Sequence, residues 1–439
     1  MAEGRGLRAD GLVDSDLVSP AHRVTPRCRH FGPCGGCDWQ DIAYVEQLRL
    51  KQGMIQRAVP RGVTVLPTLA TPSPGGGTPW GYRNKVSFVF GPAGRQQPLV
   101  MGHYRRGSRT ILPVEECPVH AEAGNQFAFA LRDALVKARV AGASPDGRTG
   151  VARYVVVRVS ESSGEVVGTL VATENAKALR RVTADLQARI APDLPAGRRA
   201  AAGFHLNLHD RPGPFLFGGE TRRLFGLSEV REQVGGASYL VSPTAFFQTN
   251  VRAAGVLAGV VLEALADERL ERILDLYAGV GLFALPLAKA GRLVTAVEEN
   301  REAIAGAASA LRLNGIDQGR CRLVAARVED ALGGLAGDAR SGRRRGPAGG
   351  GVGGDWDAVV LDPPREGCPP RVLDFVLRSL RPARIVYVSC SPEALSRDMA
   401  RVGGTGYDFE RVQPVDMFPH TTHVETVVTL VRGGRAERM

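Results

Sequence analysis

The period of apolar and polar positions changes twice along this chain. Over residues 41–58 apolar side chains recur at helical spacing, and Asp41 stands where an N-cap would. A Pro/Gly-rich linker at 72–79 follows. From Tyr82 the period becomes two: 85–90 and 99–104 read as strands, a turn forms around Gly107, and a helix runs to about Val140. Further strands over 151–172 and 203–241 flank a helix near 174–190, which makes a central α+β unit. Beyond Pro243 the pattern changes again. Thr249 and Asn250 can cap a helix over 251–266, and strands then alternate with helices at 272–276, 292–297, 321–325, 358–361, 385–389 and 424–431. Alternation of this kind predicts a parallel sheet with helices on both faces, so the fold class is α/β. Four segments result: a poorly ordered stretch at 1–27, a cysteine-bearing segment at 28–80, the α+β domain at 81–242 and the α/β domain at 243–439. The Gly/Arg-rich stretch 337–354 reads as a solvated loop inserted in the last of these.

Composition alters this picture little. At 439 residues and 44% hydrophobic content, the chain can bury a large core in two or three domains. No apolar run is long enough to span a bilayer, and no apolar signal core opens the sequence, so a cytoplasmic protein is expected. The net charge of +11, carried mostly by arginine, favours an anionic partner, although arginine-rich composition alone is weak support. Seven cysteines without an export signal argue against a disulfide scaffold and for metal binding or catalysis.

The chemistry gathers at strand ends. In Arg384-Ile-Val-Tyr-Val-Ser-Cys-Ser-Pro392 a β-branched run stops at Ser389, and Cys390 sits just past it. Ligands of open α/β sheets bind at that position. A lone cysteine there would more often be a small buried residue. A second strand end, 356–365, changes the balance by placing Asp362, two prolines and Arg365 at the same kind of location. Asp275-Leu-Tyr-Ala-Gly-Val-Gly281-Leu-Phe283 is a glycine turn between strand and helix, and Glu298 closes the next strand with a carboxylate suited to ribose hydroxyls. The turn lacks a third spaced glycine, so it suits an adenosine-bearing ligand in general rather than a dinucleotide.

Taken in order, these residues resemble the S-adenosylmethionine-dependent RNA uracil C5-methyltransferases. The resemblance rests on Cys28, Cys34 and Cys37 with Cys117, Phe246-Phe247-Gln248-Thr249-Asn250, Asp275 to Phe283, Glu298, Asp362-Pro-Pro-Arg-Glu-Gly367, Ser389-Cys390-Ser391-Pro392 and His423-Val-Glu-Thr426. It implies a Rossmann-like class I methyltransferase domain at the C-terminus. It also implies Cys390 as the nucleophile adding to uracil C6, and Glu425 as the base that removes the C5 proton. Gln248, Tyr277, Glu298 and Asp362 become the expected S-adenosylmethionine contacts, with Asp362 an alternative holder of the uracil edge. The partner is RNA, foremost 23S ribosomal RNA, because the cysteine group resembles the ribosomal branch; a tRNA target is the alternative. A monomer suffices for this chemistry. Two departures stand out: only 27 residues precede Cys28, too few for an accessory β-barrel, and Leu282 stands where some relatives have asparagine.

Four cysteines with C-x5-C-x2-C spacing and a distant fourth suit either zinc or an iron–sulfur cube. Spacing alone favours zinc, and the resemblance implies a [4Fe–4S] cluster on Cys28, Cys34, Cys37 and Cys117. Cys321 reads as core, and Cys368 is a decoy for the catalytic thiol. Rival readings fit less well. An RNA cytosine C5-methyltransferase would carry its cysteine directly after the strand-end proline, where this chain has Arg365. A radical enzyme would need C-x3-C-x2-C, and a non-catalytic RNA-binding module leaves Cys390 and the glycine turn unexplained.

Overall fold

The computed structural model describes residues 18–94, 97–190, 202–210, 216–335 and 356–433. The Gly/Arg-rich stretch at 337–354 and the first seventeen positions of the expected disordered segment lie outside them. Residues 18–27, read from sequence as poorly ordered, instead form a short turn at Pro20–His22 and bury Val18 against Trp39 and Ile42. That apolar anchor acts together with backbone hydrogen bonds from Val24 N to Asp41 O (3.0 Å) and from Ala43 N to His22 O (2.8 Å).

The central domain is a seven-stranded sheet. Its strands are β1 (Lys85–Gly91), β2 (Val100–Tyr104), β3 (Ile111–Pro113), β4 (Ala152–Val159), β5 (Val166–Ala172), β6 (Ala202–Leu208) and β7 (Glu220–Gly226), in the order β3-β2-β1-β4-β5-β6-β7. Every pair is antiparallel except β5–β6. The helix following α1 (Tyr44–Ala58) in sequence, α2 (Glu122–Lys137), covers one face with Phe127, Leu131 and Leu135, and α3 (Leu179–Ile190) makes the β5–β6 crossover.

The hairpin β8 (Val230–Val234) and β9 (Ala237–Val241) turns through Gly235 and Gly236, both at positive φ (58° and 80°), as a two-residue hairpin turn requires. Its inward residues Val230, Val234 and Tyr239 pack against α4 (Val251–Ala264), in the core of the second domain. The boundary therefore falls before Val230 and not at 242, because a hairpin continues the strand pattern of the central domain but buries its apolar face elsewhere. Asn250 caps α4 as expected, its side chain accepting from Ala253 N at 3.2 Å.

The second sheet contains β10 (Arg272–Leu276), β11 (Leu293–Glu298), β12 (Cys321–Ala325), β13 (Ala358–Leu361), β14 (Arg384–Ser389), β15 (Tyr407–Val415) and β16 (Glu425–Arg432), ordered β12-β11-β10-β13-β14-β16-β15. The first five run parallel, and β16 and β15 close the edge antiparallel. Helices α5 (Ala284–Lys289), α6 (Arg301–Leu313), α7 (Val328–Leu335), α8 (Pro370–Asp374) and α9 (Pro392–Met399) make the connections. Two apolar clusters, one on each face, show the doubly wound arrangement. Cys321 lies in one of them, as its reading as core anticipated. β15 was not expected: Asp408, Glu410, Arg411 and Pro414 mask its alternation. Its outer edge is covered by the N-terminal segment, with Leu66 N donating to Val412 O (3.0 Å) and Leu69 N to Pro414 O (2.9 Å).

That segment is a strap across the second domain. Helix α1 places Ile55 and Ala58 in the core beside Leu395 and Met399. Asp41 does not cap it; Ala43 occupies the cap position and Asp41 pairs with Arg23. Toward the chain's end the strap's face is polar, and its Lys51 Nζ meets Asp416 Oδ1 at 2.6 Å with both side chains 0% exposed. Among the described residues no helix is long and apolar enough to cross a membrane.

Candidate active site and cysteine cavity

In the second sheet β10 has β11 on one side and β13 on the other, which opens a crevice at the carboxyl ends of these strands. Glu298 ends β11, Tyr277 follows β10, Asp362 follows β13 and Cys390 follows β14. Because β16 is antiparallel, it is its first residue, Glu425, that reaches the same edge. Ser389 pairs with Thr426, so the register carried one residue further sets Cys390 across from Glu425. Directly opposed residues of this kind hold their Cβ atoms about 4.5–5.5 Å apart.

Local structure leaves these side chains little freedom. Ser389 Oγ donates to Ser391 O at 3.1 Å, and Ser391 Oγ accepts from Ala394 N at 3.2 Å, so α9 starts immediately beyond Cys390. Pro392 suits that first helical turn. Asp362 N donates to Leu276 O at 3.3 Å, and Gly367 N closes back on Pro364 O at 2.8 Å. Gly367 has φ +86°, and a Cβ there would stand 2.6 Å from the Asp398 carboxylate, so the turn after the two prolines admits only glycine.

The edge is acidic. Burial raises Glu425 to about 8, with Asp362 adding to the rise and Arg365 opposing it. Burial raises Asp362 to about 7. Cys390 is pushed up to about 11 by burial and then by Glu425 and Asp362, with Arg365 again opposing. Asp275 on β10 is 0% exposed, and neither carboxylate oxygen has a hydrogen-bond partner. Burial first, and then Asp362, hold it well above the usual range. A group of acids that raise one another, with one exposed arginine opposing them, suits a cationic ligand.

The glycine turn is gripped from β11. Glu298 Oε2 accepts from Gly279 N (2.9 Å) and Oε1 from Asn300 N (2.8 Å), which fixes the carboxylate beside the turn. Tyr277 takes φ +64°, a conformation costing a non-glycine residue about 1 kcal/mol or more, and its hydroxyl is buried and unpaired. Leu282 is buried and offers no polar contact. Gln248 is placed differently from the other expected contacts. It lines a narrow crevice with Lys85 and Arg158, and among the described residues no hydrogen bond ties it to the acidic edge. Cys368 is 2% exposed, with its N–H on Asp398 at 2.8 Å, and does not compete with Cys390 for the edge.

Two members of this region had no role assigned from the sequence: Asp275, noticed as the start of the turn, and Arg365, noticed beside Asp362 at the 356–365 strand end. The adjacent Phe246 and Phe247 belong to one motif, and the structure separates them: Phe247 packs in the core against Tyr239, whereas Phe246 is 68% exposed. Periodicity could not tell adjacent aromatics apart in a loop.

Cys28, Cys34, Cys37 and Cys117 all line one cavity of about 560 Å³ between the strap and β2. Burial raises the Cys37 thiol to about 11 and the Cys117 thiol to about 12. The half-buried Arg83 guanidinium lies beside Cys37 and Cys117 on the same wall. Two further residues were not anticipated: His103 and His120 bring ring nitrogens to within 4.8 Å of the Cys117 sulfur and of each other. Cys117-Pro-Val-His120 was visible in the sequence, but His103 arrives from another strand. The loop carrying the cysteines is stitched to the end of the chain, since Asp38 N and Trp39 N both donate to His420 O (2.8 and 3.0 Å).

An uncharacterized RNA methyltransferase of Gloeobacter violaceus is 33% identical over 428 residues, covering 96% of this chain and 86% of that protein. A family profile described as tRNA (Uracil-5-)-methyltransferase matches residues 230–433. The chain belongs to the RNA uracil C5-methyltransferases. As a member it is an S-adenosylmethionine-dependent enzyme that methylates RNA, and its second domain has the class I methyltransferase fold. A second relative, an uncharacterized RNA methyltransferase of Geobacter sulfurreducens, is 32% identical and covers 98% of this chain and 81% of its own. Among solved structures, the tRNA (uracil-54, C5)-methyltransferase of Pyrococcus abyssi in complex with S-adenosyl-L-homocysteine superposes with a TM-score of 0.69 at 27% identity. It covers 94% of this chain and 86% of that one. The profile begins at Val230, where the β8–β9 hairpin joins the methyltransferase core.

Proposed function

We propose that this RNA uracil C5-methyltransferase works through a covalent adduct, with Cys390 as nucleophile and Glu425 as base. The observation that carries the reading is the register that sets Cys390 across from Glu425, with Asp362 at the neighbouring strand end. Uracil C5 is a poor nucleophile until a thiolate adds at C6 and turns the ring into an enolate. S-adenosylmethionine supplies an electrophilic methyl group on a sulfonium. After transfer C5 carries both methyl and hydrogen, Glu425 takes the hydrogen as a proton, and elimination of Cys390 restores the ring. Arg365, the cation that opposes the rise of the Cys390 thiol, assists thiolate formation. Asp275 and Asp362 face the positive end of the cofactor, and Glu298 its ribose, with Tyr277 next to the glycine turn; Gln248, which lines the Lys85–Arg158 crevice, stands outside this set. The target must leave its stack for this chemistry, and the exposed Phe246 ring offers it a surface.

The cysteine cavity holds a [4Fe–4S] cluster on Cys28, Cys34, Cys37 and Cys117 in this reading. Four thiols on one cavity fit the donor set, and Arg83 beside them suits a shell of thiolates with excess negative charge. The cluster would supply a rigid four-point tie between the strap and the central domain. Zinc is the second reading, favoured by the convergence of His103, Cys117 and His120. Metal analysis of anaerobically purified protein separates them: about four irons and a brown colour support the cluster, and one zinc with full activity rejects it.

The RNA is 23S ribosomal RNA on the resemblance of the cysteine group to that branch. A tRNA uridine is the second reading, supported by the Pyrococcus enzyme, whose structure matches 94% of this chain. Mapping 5-methyluridine in ribosomal and transfer RNA from cells lacking the gene decides between them. Loss of the mark from tRNA alone would refute the ribosomal assignment.

A further inference from the structure

The narrow crevice that Gln248 lines contains an arrangement that folding alone does not account for. Lys85 on β1 and Arg158 on β4 are direct cross-strand partners. Like charges directly opposite one another destabilise a sheet. Here both are also drawn away from water, Lys85 in part and Arg158 to 4% exposure. Burial lowers Lys85 to about 8, with Arg158 adding to the fall, and lowers Arg158 to about 10. Among the described residues neither cation forms a salt bridge. Glu232 lines the same crevice, but its carboxylate is engaged by the N–H groups of Glu161 (2.9 Å), Ser162 (3.1 Å) and Gln233 (3.0 Å). Arg158 instead donates to two backbone carbonyls, Pro243 O at 3.2 Å and Ala245 O, so it braces the loop that presents Phe246. Among the described residues Lys85 has only the face of Phe217, 5.8 Å from its Nζ.

We infer that Lys85 and Arg158 form a binding site for one backbone phosphate of the substrate RNA, next to the loop carrying Phe246. The crevice has about 10 Å³ of free space, which admits an oxygen-sized group and excludes a base. A phosphate can insert one oxygen between the two cations and leave the rest in solvent. This offsets the like-charge repulsion only in the complex. The site would anchor a nucleotide close to the uridine that Phe246 receives, so the inference rests on the proposed uridine chemistry for its placement.

The test is RNA affinity against salt for the parent, Lys85→Gln and Lys85→Arg, with S-adenosylhomocysteine affinity and thermal melting measured alongside. Lys85→Gln should weaken RNA binding about tenfold. The slope of log affinity against log salt should become shallower by about 0.7–0.9, the contribution of one phosphate contact. Lys85→Arg should keep the parental slope. Cofactor affinity should not change, and Lys85→Gln should melt at or above the parent temperature because a repulsive pair is gone. An unchanged slope overturns the inference, and so does a loss of cofactor affinity, which would make the crevice part of the cofactor site. If the parent methylates uridine RNA and Lys85→Gln keeps its slope, the phosphate site alone fails. If no uridine is methylated but the slope still falls in Lys85→Gln, the site stands and the uridine chemistry fails.

Discussion

Replacing Lys51 by methionine should unfasten the strap from the methyltransferase domain. Methionine is unbranched like lysine and one atom shorter, so the change removes a charge and little volume. Lys51 Nζ donates to Asp416 Oδ1 at 2.6 Å and to Phe418 O at 3.0 Å. Without it, the 0% exposed carboxylate keeps, among the described residues, only Tyr44 OH (2.8 Å) and Phe418 N (3.1 Å) as donors. Removing one partner of a buried ion pair costs about 3–5 kcal/mol, because the other charge is stranded. For a domain of about 200 residues each kcal/mol moves the midpoint by about 2–4 °C, so Lys51→Met should lower melting by about 6–20 °C. Asp416→Asn should fall in the same range. The double variant strands no charge and should recover most of the loss. The loop that Lys51 holds runs directly into Glu425, so kcat should fall in the single variants and recover in the double. Scanning calorimetry and single-turnover kinetics on the four proteins make the measurement. A single variant melting within about 2 °C of the parent would refute the reasoning, as would a double variant no better than either single.

Cys390→Ala should abolish turnover and any RNA adduct while leaving S-adenosylhomocysteine binding intact; Glu425→Gln should accumulate a covalent complex whose uracil already carries methyl, read by mass spectrometry of the RNA–peptide adduct. Cys368→Ala should retain activity, and an adduct that maps to Cys368 in the parent would reverse the assignment. The reaction should accelerate as pH rises through about 8, where Glu425 ionises, and Arg365→Gln should move the profile to higher pH because the opposing cation is lost. Ligand-free stability should move the other way. Glu425 is raised from 4.5 to about 8, so the folded state holds a proton that the unfolded chain releases. Its contribution is full below about 4.5 and is lost as pH climbs to about 8. Melting curves of Glu425→Gln across this range should be flatter than those of the parent.

The parallel part of the second sheet was legible because its strands are buried on both faces and read as continuous apolar runs; β10 and β13 match the expected 272–276 and 358–361 in full. Edge strand β15 was not, since one side of it meets solvent and its charges and Pro414 hide the alternation. The chain order of Cys390 and Glu425 was visible, but their opposition across β14 and β16 was not, because it depends on a strand running backwards at the end of a parallel sheet. The strap's destination was equally hidden. Its docking face includes Gln47 and Lys51, both 0% exposed, and a pattern reader assigns such residues to solvent unless the partner, Asp416, is known. The like-charge pair of Lys85 and Arg158 is likewise a matter of register that sequence spacing cannot reveal.

The stitching of Asp38 and Trp39 to His420, and of Lys51 to Asp416, has a consequence for the order in which the protein can become competent. A ribosome delivers the strap first and its docking surface last. Until residues 416–432 emerge, the strap has no Asp416 to neutralise Lys51, β15 has no inner partner, and Glu425 has not reached the cleft. The glycine turn and the Cys390 strand end are synthesised earlier, so a nascent chain presents Cys390 before Glu425, its partner in the proposed mechanism. The cleft is thereby assembled only after residues 416–432 are made, and a chain that stops short of them lacks Glu425, the base of the proposed mechanism.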